Sequence, residues 1–300
     1  MLIILLLIIS DAASLTNSGV SKLAASRYLS HSADTATHVV RVSITTCITL
    51  MLATLFPNPV FGNAFYQLSG FTALFGVLFG LIVALQGNLN VRALAAGPLS
   101  LTTLISSCVA TMVPVFAGSL FWKETISLKQ WIGIALLLCA MVLLMNPKLD
   151  KRITKRWCFL TLFSSLCGGS VGVMQKIHQS SEHKGERAGF LVVAFAVYAV
   201  VMLFVSHASR KHVTSPAPWF RGKIVLLGAI VGVCTTTVHL LNLYLSGALS
   251  AVIVFPLLNG IPLLGSMLIG IIFFREKVKL NNLIGFIIGI LSLLLVSQVI

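Results

Sequence analysis

Charge is scarce in this sequence. Only 9% of its 300 residues are Asp, Glu, Lys or Arg, where a soluble domain carries about 25%. The chain cannot cover its own surface in water, so lipid must be its solvent. That shortage argues against a soluble enzyme, a nucleic-acid-binding domain and a disordered protein. Acid is the scarcest charge: 7 Asp and Glu stand against 21 Lys and Arg, a net charge of +14. In a soluble protein such an excess would point to nucleic acid. Here it reads as basic loops that hold helices in a membrane. Cys47, Cys108, Cys139, Cys158, Cys167 and Cys234 form no C-x-x-C pair, and most lie in apolar runs. Neither a disulfide framework nor a metal site is expected, and the cysteines read as small packing residues. A G-x-x-x-x-G-K-[ST] phosphate loop is also missing, which removes the usual ATP site. No cofactor is expected.

Apolar residues are what the chain has in quantity: 57% of the total, with a mean hydropathy of +1.01. A spanning helix needs about 20 mostly apolar residues. Ten runs qualify: 2–23, 37–57, 68–90, 98–122, 130–147, 157–177, 188–207, 222–245, 248–274 and 280–300. They are continuous rather than alternating, which favours helices over a β-barrel. Asp11, Asn17 and Arg41 interrupt the first two. The opening MLIILLLIIS has no basic n-region and no convincing cleavage site, so it reads as a retained membrane helix. The connections are too short to fold as a soluble domain.

The sequence repeats itself. Phe121-Trp122-Lys123-Glu124 lines up with Phe273-Phe274-Arg275-Glu276, 152 positions later. The same offset pairs Leu128 with Leu280, Ile132 with Ile284, Gly133 with Gly285, Gly76 with Gly228, Gly80 with Gly232, Leu89 with Leu241 and Asn90 with Asn242. With small gaps, Gly97-Pro98-Leu99-Ser100 meets Gly247-Ala248-Leu249-Ser250, and Lys22 meets Lys176. The expected organisation is a first five-helix repeat over 1–147, a basic connecting loop over 148–156 and a second five-helix repeat over 157–300. Five spans per half is an odd number, so the second half must lie upside down relative to the first. Inverted repeats of this kind are an architecture of secondary transporters.

The segments LFWKETISLKQWIGIALLLCAMVLL and IIFFREKVKLNNLIGFIIGILSLLLV carry a family likeness. In each, an apolar helix ends at a Glu and the next begins with a hydrophobic residue and Gly a few positions on. The two halves resemble the drug/metabolite transporter superfamily, specifically its EamA-type members. The stretch LNLYLSGALSAVIVFPLLNG is similar to the eighth and ninth helices of bacterial members. The resemblance implies an all-α, polytopic, ten-helix membrane transporter.

Polar residues within spans are costly unless they face protein or water. Gln86 and Asn90 are four apart, so they share a helix face, and Thr235, His239 and Asn242 share another. Ser107 and Asn259 are repeat mates near mid-span. These residues are expected to line a polar cavity between the two halves, where such transporters bind solute. Plain interhelical hydrogen bonding is the alternative. Arg92 is a candidate for holding an anionic solute, or else an interface anchor. Pro114, Pro256 and Pro262 remove helix hydrogen bonds and can serve as hinges or plain kinks. Asp11 falls about halfway along the first span, where a charge costs about 2.5–3.5 kcal/mol or more. It is the proton-coupling candidate, by analogy with the first-helix Glu of small multidrug resistance proteins. His239 is expected to be a packing histidine. Glu124 and Glu276 are expected to be structural, each beside the positive N-terminal end of the next helix and neutralised by Lys123, Arg275 and Lys277. Lys22 and Lys176 are expected to snorkel to the headgroups, or otherwise to gate the cavity.

The function expected is secondary active transport of a small organic solute, a drug or metabolite, by alternating access. A channel or a non-transporting structural membrane protein is the alternative, and an enzyme is not expected. The expected partners are the solute, the lipid bilayer and, optionally, a second copy as a homodimer, without nucleic acid. A bacterial plasma membrane is favoured over a eukaryotic organelle membrane. Ten spans place both termini on one side. Sixteen of the 21 basic residues lie in or beside the loops of the opposite side. Basic loops stay cytoplasmic, so charge places the termini outside, whereas the family resemblance implies termini inside.

Overall fold

A computed structural model describes residues 2–28, 32–56, 60, 62, 68–96, 99–145, 153–210, 222–274 and 280–297. The described residues form helices α1 (Leu2–Tyr28), α2 (Ser32–Ala53), α3 (Gly70–Ala96), α4 (Leu99–Phe121), α5 (Leu128–Met145), α6 (Lys155–Ser180), α7 (Arg187–Arg210), α8 (Gly222–Ala248), α9 (Ala251–Phe274) and α10 (Leu280–Val296). No strand occurs among them. Each apolar run of the sequence becomes one helix, with ends moved by a few residues. By length and composition α1 to α4 and α6 to α8 are able to cross a membrane, while Leu128–Leu144, Ala251–Gly265 and Leu280–Val296 are shorter apolar stretches. The chain is an all-α, multi-pass membrane protein.

Local chemistry sets several helix starts. Ser69 caps α3, its hydroxyl accepting the Thr72 N–H at 3.2 Å. Thr154 caps α6 by accepting the Trp157 N–H at 3.2 Å. Ser127 and Gln130 form a reciprocal capping box at α5, with bonds of 3.3 and 3.0 Å.

The chain divides into two compact units, one of residues 1–84 and 178–244, the other of 85–177 and 245–300. In the first, α2 packs along α7. Thr37 and Ser206 share a 2.8 Å hydrogen bond, and Ala36, Val40 and Met202 form a small core beside it. Glycines bring other helices close. A Cβ on Gly76 of α3 would meet the Phe190 carbonyl at 2.9 Å and Val193 Cβ at 3.0 Å; one on Gly80 would overlap the Ala194 carbonyl and meet Val197 Cβ at 3.0 Å. On α8, a Cβ at Gly232 would meet Thr45 Cβ at 2.6 Å and the Val42 carbonyl at 3.0 Å. At Gly228 its nearest neighbours would be Arg41 Cβ and His38 Cε1, both at 3.6 Å. Each α8–α2 pair lies 152 positions from an α3–α7 pair: His38 answers to Phe190, Arg41 to Val193, Val42 to Ala194 and Thr45 to Val197.

In the second unit, α5 and α10 pack antiparallel. Gly133 approaches the Ser292 carbonyl, Leu295 and Val296 within 2.8–3.1 Å of its absent Cβ, and Gly285 approaches the Ala140 carbonyl, Leu143 and the Leu144 N–H within 2.8–3.2 Å. These contacts also exchange at 152 positions. Val115, Ile134, Val252 and Val296 form a core joining α4, α5, α9 and α10. Gly172 of α6 leaves room for Pro114 and Phe255, each 2.8 Å from where its Cβ would be.

Candidate functional site

Within the first unit, α1 and α8 run antiparallel along a polar seam. Ser10 donates to Asn242 Oδ1 at 2.7 Å, and the Asn17 amide donates to the Thr235 hydroxyl at 3.0 Å. The residues on each helix are seven apart, so both bonds fall on one face of each. Thr235 also bonds back to the Val231 carbonyl at 2.7 Å. His239 lies between the two bonded positions on α8. Its Nδ1 is buried without a hydrogen bond, and its ring meets Phe195 edge-on, 5.1 Å between centroids. Asp11 follows Ser10. It is 6% exposed, and its carboxylate makes no hydrogen bond or ion pair among the described residues. An open cleft of about 630 Å³ lies beside the seam, lined by residues such as Leu6, Ile9, Leu52, Phe56 and Leu240. Its hydroxyls are already used: Thr49 bonds Thr236, and Thr237 bonds the Val233 carbonyl.

The other candidates belong to the second unit. Gln86 accepts the Ser164 hydroxyl on its carbonyl at 3.3 Å, and its side chain lies over Gly168, 3.6 Å from that residue's absent Cβ. The Asn259 amide donates to the Phe255 carbonyl of its own helix at 2.9 Å. Asn90 and Ser107 are half-buried and Arg92 is exposed. The side chains of these three make no hydrogen bond among the described residues.

Glu124 and Lys176 depart from expectation. Glu124 Oε2 accepts the Ala251 and Val252 N–H groups at 2.7 and 3.3 Å. It therefore caps α9, not the following helix α5. Lys123 turns the chain with a φ of 53°, and Gly118 is the residue whose Cβ would meet both Ala251 and Glu124, at 2.7 and 2.9 Å. The neutralising cation is Lys176, not Lys123: its Nζ lies 3.2 Å from Glu124 Oε1 and donates to the Leu249 carbonyl at 2.7 Å. Lys176 is buried and does not snorkel. Sequence reading missed this cluster because its members lie on three separate helix ends. Their only early signal was that Glu124 and Lys176 both have repeat mates. The mates Glu276 and Lys22, with Arg275 and Lys277, lie outside the residues and side chains described.

A second network was also unforeseen. Glu186, between α6 and α7, accepts the Ser69 N–H and hydroxyl at 2.8 Å each, and its other oxygen lies 3.0 Å from His183 Nδ1. Burial pushes the Glu186 carboxyl up, but hydrogen bonds from Ser69, Thr72 and His183 outweigh it and hold the group below its ordinary value. The network continues from Thr72 to His178 Nε2 at 3.3 Å and through Gln179 to Arg187 at 2.8 Å. The Arg187 guanidinium stands 5.1 Å over the Tyr244 ring.

Within the first unit, paired polar residues line the α1–α8 seam, and Asp11 has no partner among the described residues. Residues 155–298 match the EamA-like transporter family. A solved crystal structure shares the fold at a TM-score of 0.69, covering 98% of this chain and 98% of its own, with 11% identity. No curated protein matches the chain. The EamA-like region, residues 155–298, makes the chain similar to the drug/metabolite transporter superfamily over its second half.

Proposed function

We propose that this protein is a secondary transporter that moves a small organic solute across a membrane by alternating access. Asp11 carries the reading. A carboxylate in the middle of a membrane helix, 6% exposed and without a partner among the described residues, is costly and marks function by default. In sequence it lies between Ser10 and Asn17, which make the two hydrogen bonds of the α1–α8 seam. A proton taken up there removes the charge, and its loss restores it, so Asp11 links solute movement to a proton gradient. Thr235, His239 and Asn242 are the seam's contribution to the solute path. Gln86, Asn90, Arg92, Ser107 and Asn259 are separate solute-binding candidates within the second unit. Contacts that recur at one offset support two inverted copies of a five-helix unit, the architecture that alternating access uses. The membrane proposed is a bacterial plasma membrane.

Proteoliposomes with an imposed pH gradient test this against a panel of small organic solutes. Saturable uphill uptake is expected. Asp11→Asn keeps the side chain's shape, cannot carry the proton, and is expected to lose uphill uptake while sparing exchange. Uphill, pH-dependent uptake by that variant would remove Asp11 from the mechanism. Unsaturable ion current in place of solute flux would make the protein a channel.

A further inference from the structure

The two glycine seams of the first unit are built to one pattern but filled differently. Where α3 meets α7, the residues beside Gly76 are Phe190 and Val193. The packing there is dense and aromatic: Phe190 contacts Phe79 edge-on at 5.1 Å and stacks on His178 at 4.5 Å. Where α8 meets α2, the equivalent places beside Gly228 hold His38 and Arg41. The fold needs only apolar bulk at these positions, as its other copy shows. In the α2 copy they carry a cation and a titratable ring, 9% and 6% exposed.

Three observations set this pair apart from packing. Both ring nitrogens of His38 are buried and neither makes a hydrogen bond; at least one of them is an N–H donor in any protonation state. Such a group inside a membrane protein is expensive unless something accepts from it. Arg41 stands one turn along the same face and acts on His38 electrostatically. The seam is also looser here: the absent Cβ of Gly228 has no neighbour nearer than 3.6 Å, against 2.9 Å at Gly76. Asp34, one turn before His38, is the acidic group on this stretch of α2 and is itself buried.

We propose that His38 and Arg41 form a site for a phosphate group, carried by a lipid headgroup or by a free anionic solute. The guanidinium fork matches tetrahedral oxyanions with two parallel donors, and the His38 ring adds a third. The position suits the ligand. His38 lies six residues into α2, about 9 Å along its axis, a depth that a headgroup phosphate or an anion from the aqueous edge can reach. The end of α7 and the start of α8 meet α2 at this same end, and the exposed Lys223 adds to the positive charge there. The proposal uses neither Asp11 nor the solute-path candidates, so its test stands or falls independently of theirs.

The molecule supplies its own control. His38→Phe with Arg41→Val installs the residues that the other seam already uses, which the fold is expected to accept. Thermal unfolding of purified protein is followed in detergent while inorganic phosphate is titrated against chloride at equal ionic strength. In a second arm, phosphatidylglycerol is titrated against phosphatidylcholine. Wild type is expected to show a saturable rise in Tm of about 2 °C or more in one arm, absent from the double variant. A rise with phosphate assigns a free anion, and a rise with phosphatidylglycerol alone assigns the lipid. If the double variant fails to fold, His38→Gln, which keeps a donor, is expected to retain the shift, and His38→Phe alone to weaken binding at least tenfold. No saturable shift with either probe in wild type, or an equal shift in the variants lacking His38 and Arg41, overturns the proposal.

Discussion

Lys176 and Glu124 form an ion pair, 3.2 Å between Nζ and Oε1, that ties the end of α6 to the turn after α4. The same carboxylate caps α9, so three helix ends depend on one acid. Both side chains are largely buried, and removing one partner of a buried pair leaves the other charge uncompensated. Such losses cost about 3–5 kcal/mol. Glu124→Ala is therefore expected to lower stability by roughly that amount, read from thermal or denaturant unfolding in detergent. Glu124→Gln with Lys176→Met is expected to cost less than the two single changes together. Additive costs would show that the pair does not couple.

The Glu186 network gives a pH dependence with a definite sign. Its folded carboxyl titrates below the ordinary value of 4.5, so the unfolded chain binds the proton more readily. The stability it contributes is fully present above 4.5 and is lost as pH falls through the folded value. Scans of Tm from pH 7 to pH 3 are expected to show that loss in wild type. Glu186→Gln is expected to be less stable at pH 7 and to have a flatter acid limb. An unchanged acid limb would place the titration elsewhere.

The glycines separate by what a methyl group would meet. Gly232→Ala would press on Thr45 Cβ at 2.6 Å, and overpacking of this kind costs about 1–3 kcal/mol. Gly228→Ala would find ordinary contacts at 3.6 Å and gains helix propensity, so it is expected to be neutral or to stabilise by up to about 1 kcal/mol. Unfolding midpoints of the two variants check the contrast.

Asn242→Ala removes the acceptor of Ser10 in the α1–α8 seam. It is expected to reduce solute flux while leaving expression and insertion intact, with a stability loss of about 1 kcal/mol. Asn90→Ala is expected to reduce flux with little effect on stability, since its side chain has no hydrogen bond to lose among the described residues. Wild-type flux in both would make them packing residues.

Loop charge gives an orientation to test. A C-terminal alkaline-phosphatase fusion is expected to be active and a fluorescent-protein fusion dark, because the charge bias places the termini outside. The reverse pattern would mean that family precedent outweighs loop charge here.

Helices were the legible part of this sequence, because lipid demands long apolar runs and each run can satisfy its backbone only by coiling. The recurring glycines were legible because Gly76, Gly80, Gly133, Gly232 and Gly285 sit at close approaches that leave little room for a side chain. Partners were not. Nothing in the local sequence of Glu124 says that it caps a helix 127 residues away, and its basic neighbour Lys123 looked the natural counter-ion. Glu186 and Ser69 meet across a comparable gap. Long-range polar pairs depend on which helix ends meet in space, and periodicity carries no record of that.

The α5–α10 interface maps onto itself when its two helices are exchanged. A surface that complements its own copy is what a homodimer of half-length chains would need, with the two copies inserted in opposite senses. Joining such halves in one polypeptide changes how mutations count. In a dimer of identical halves every substitution strikes twice, and a charged residue tolerated in one place must be tolerated in both. In the fused chain each half is free to vary alone. His38 and Arg41, at the places that correspond to Phe190 and Val193 152 positions later, are one such difference.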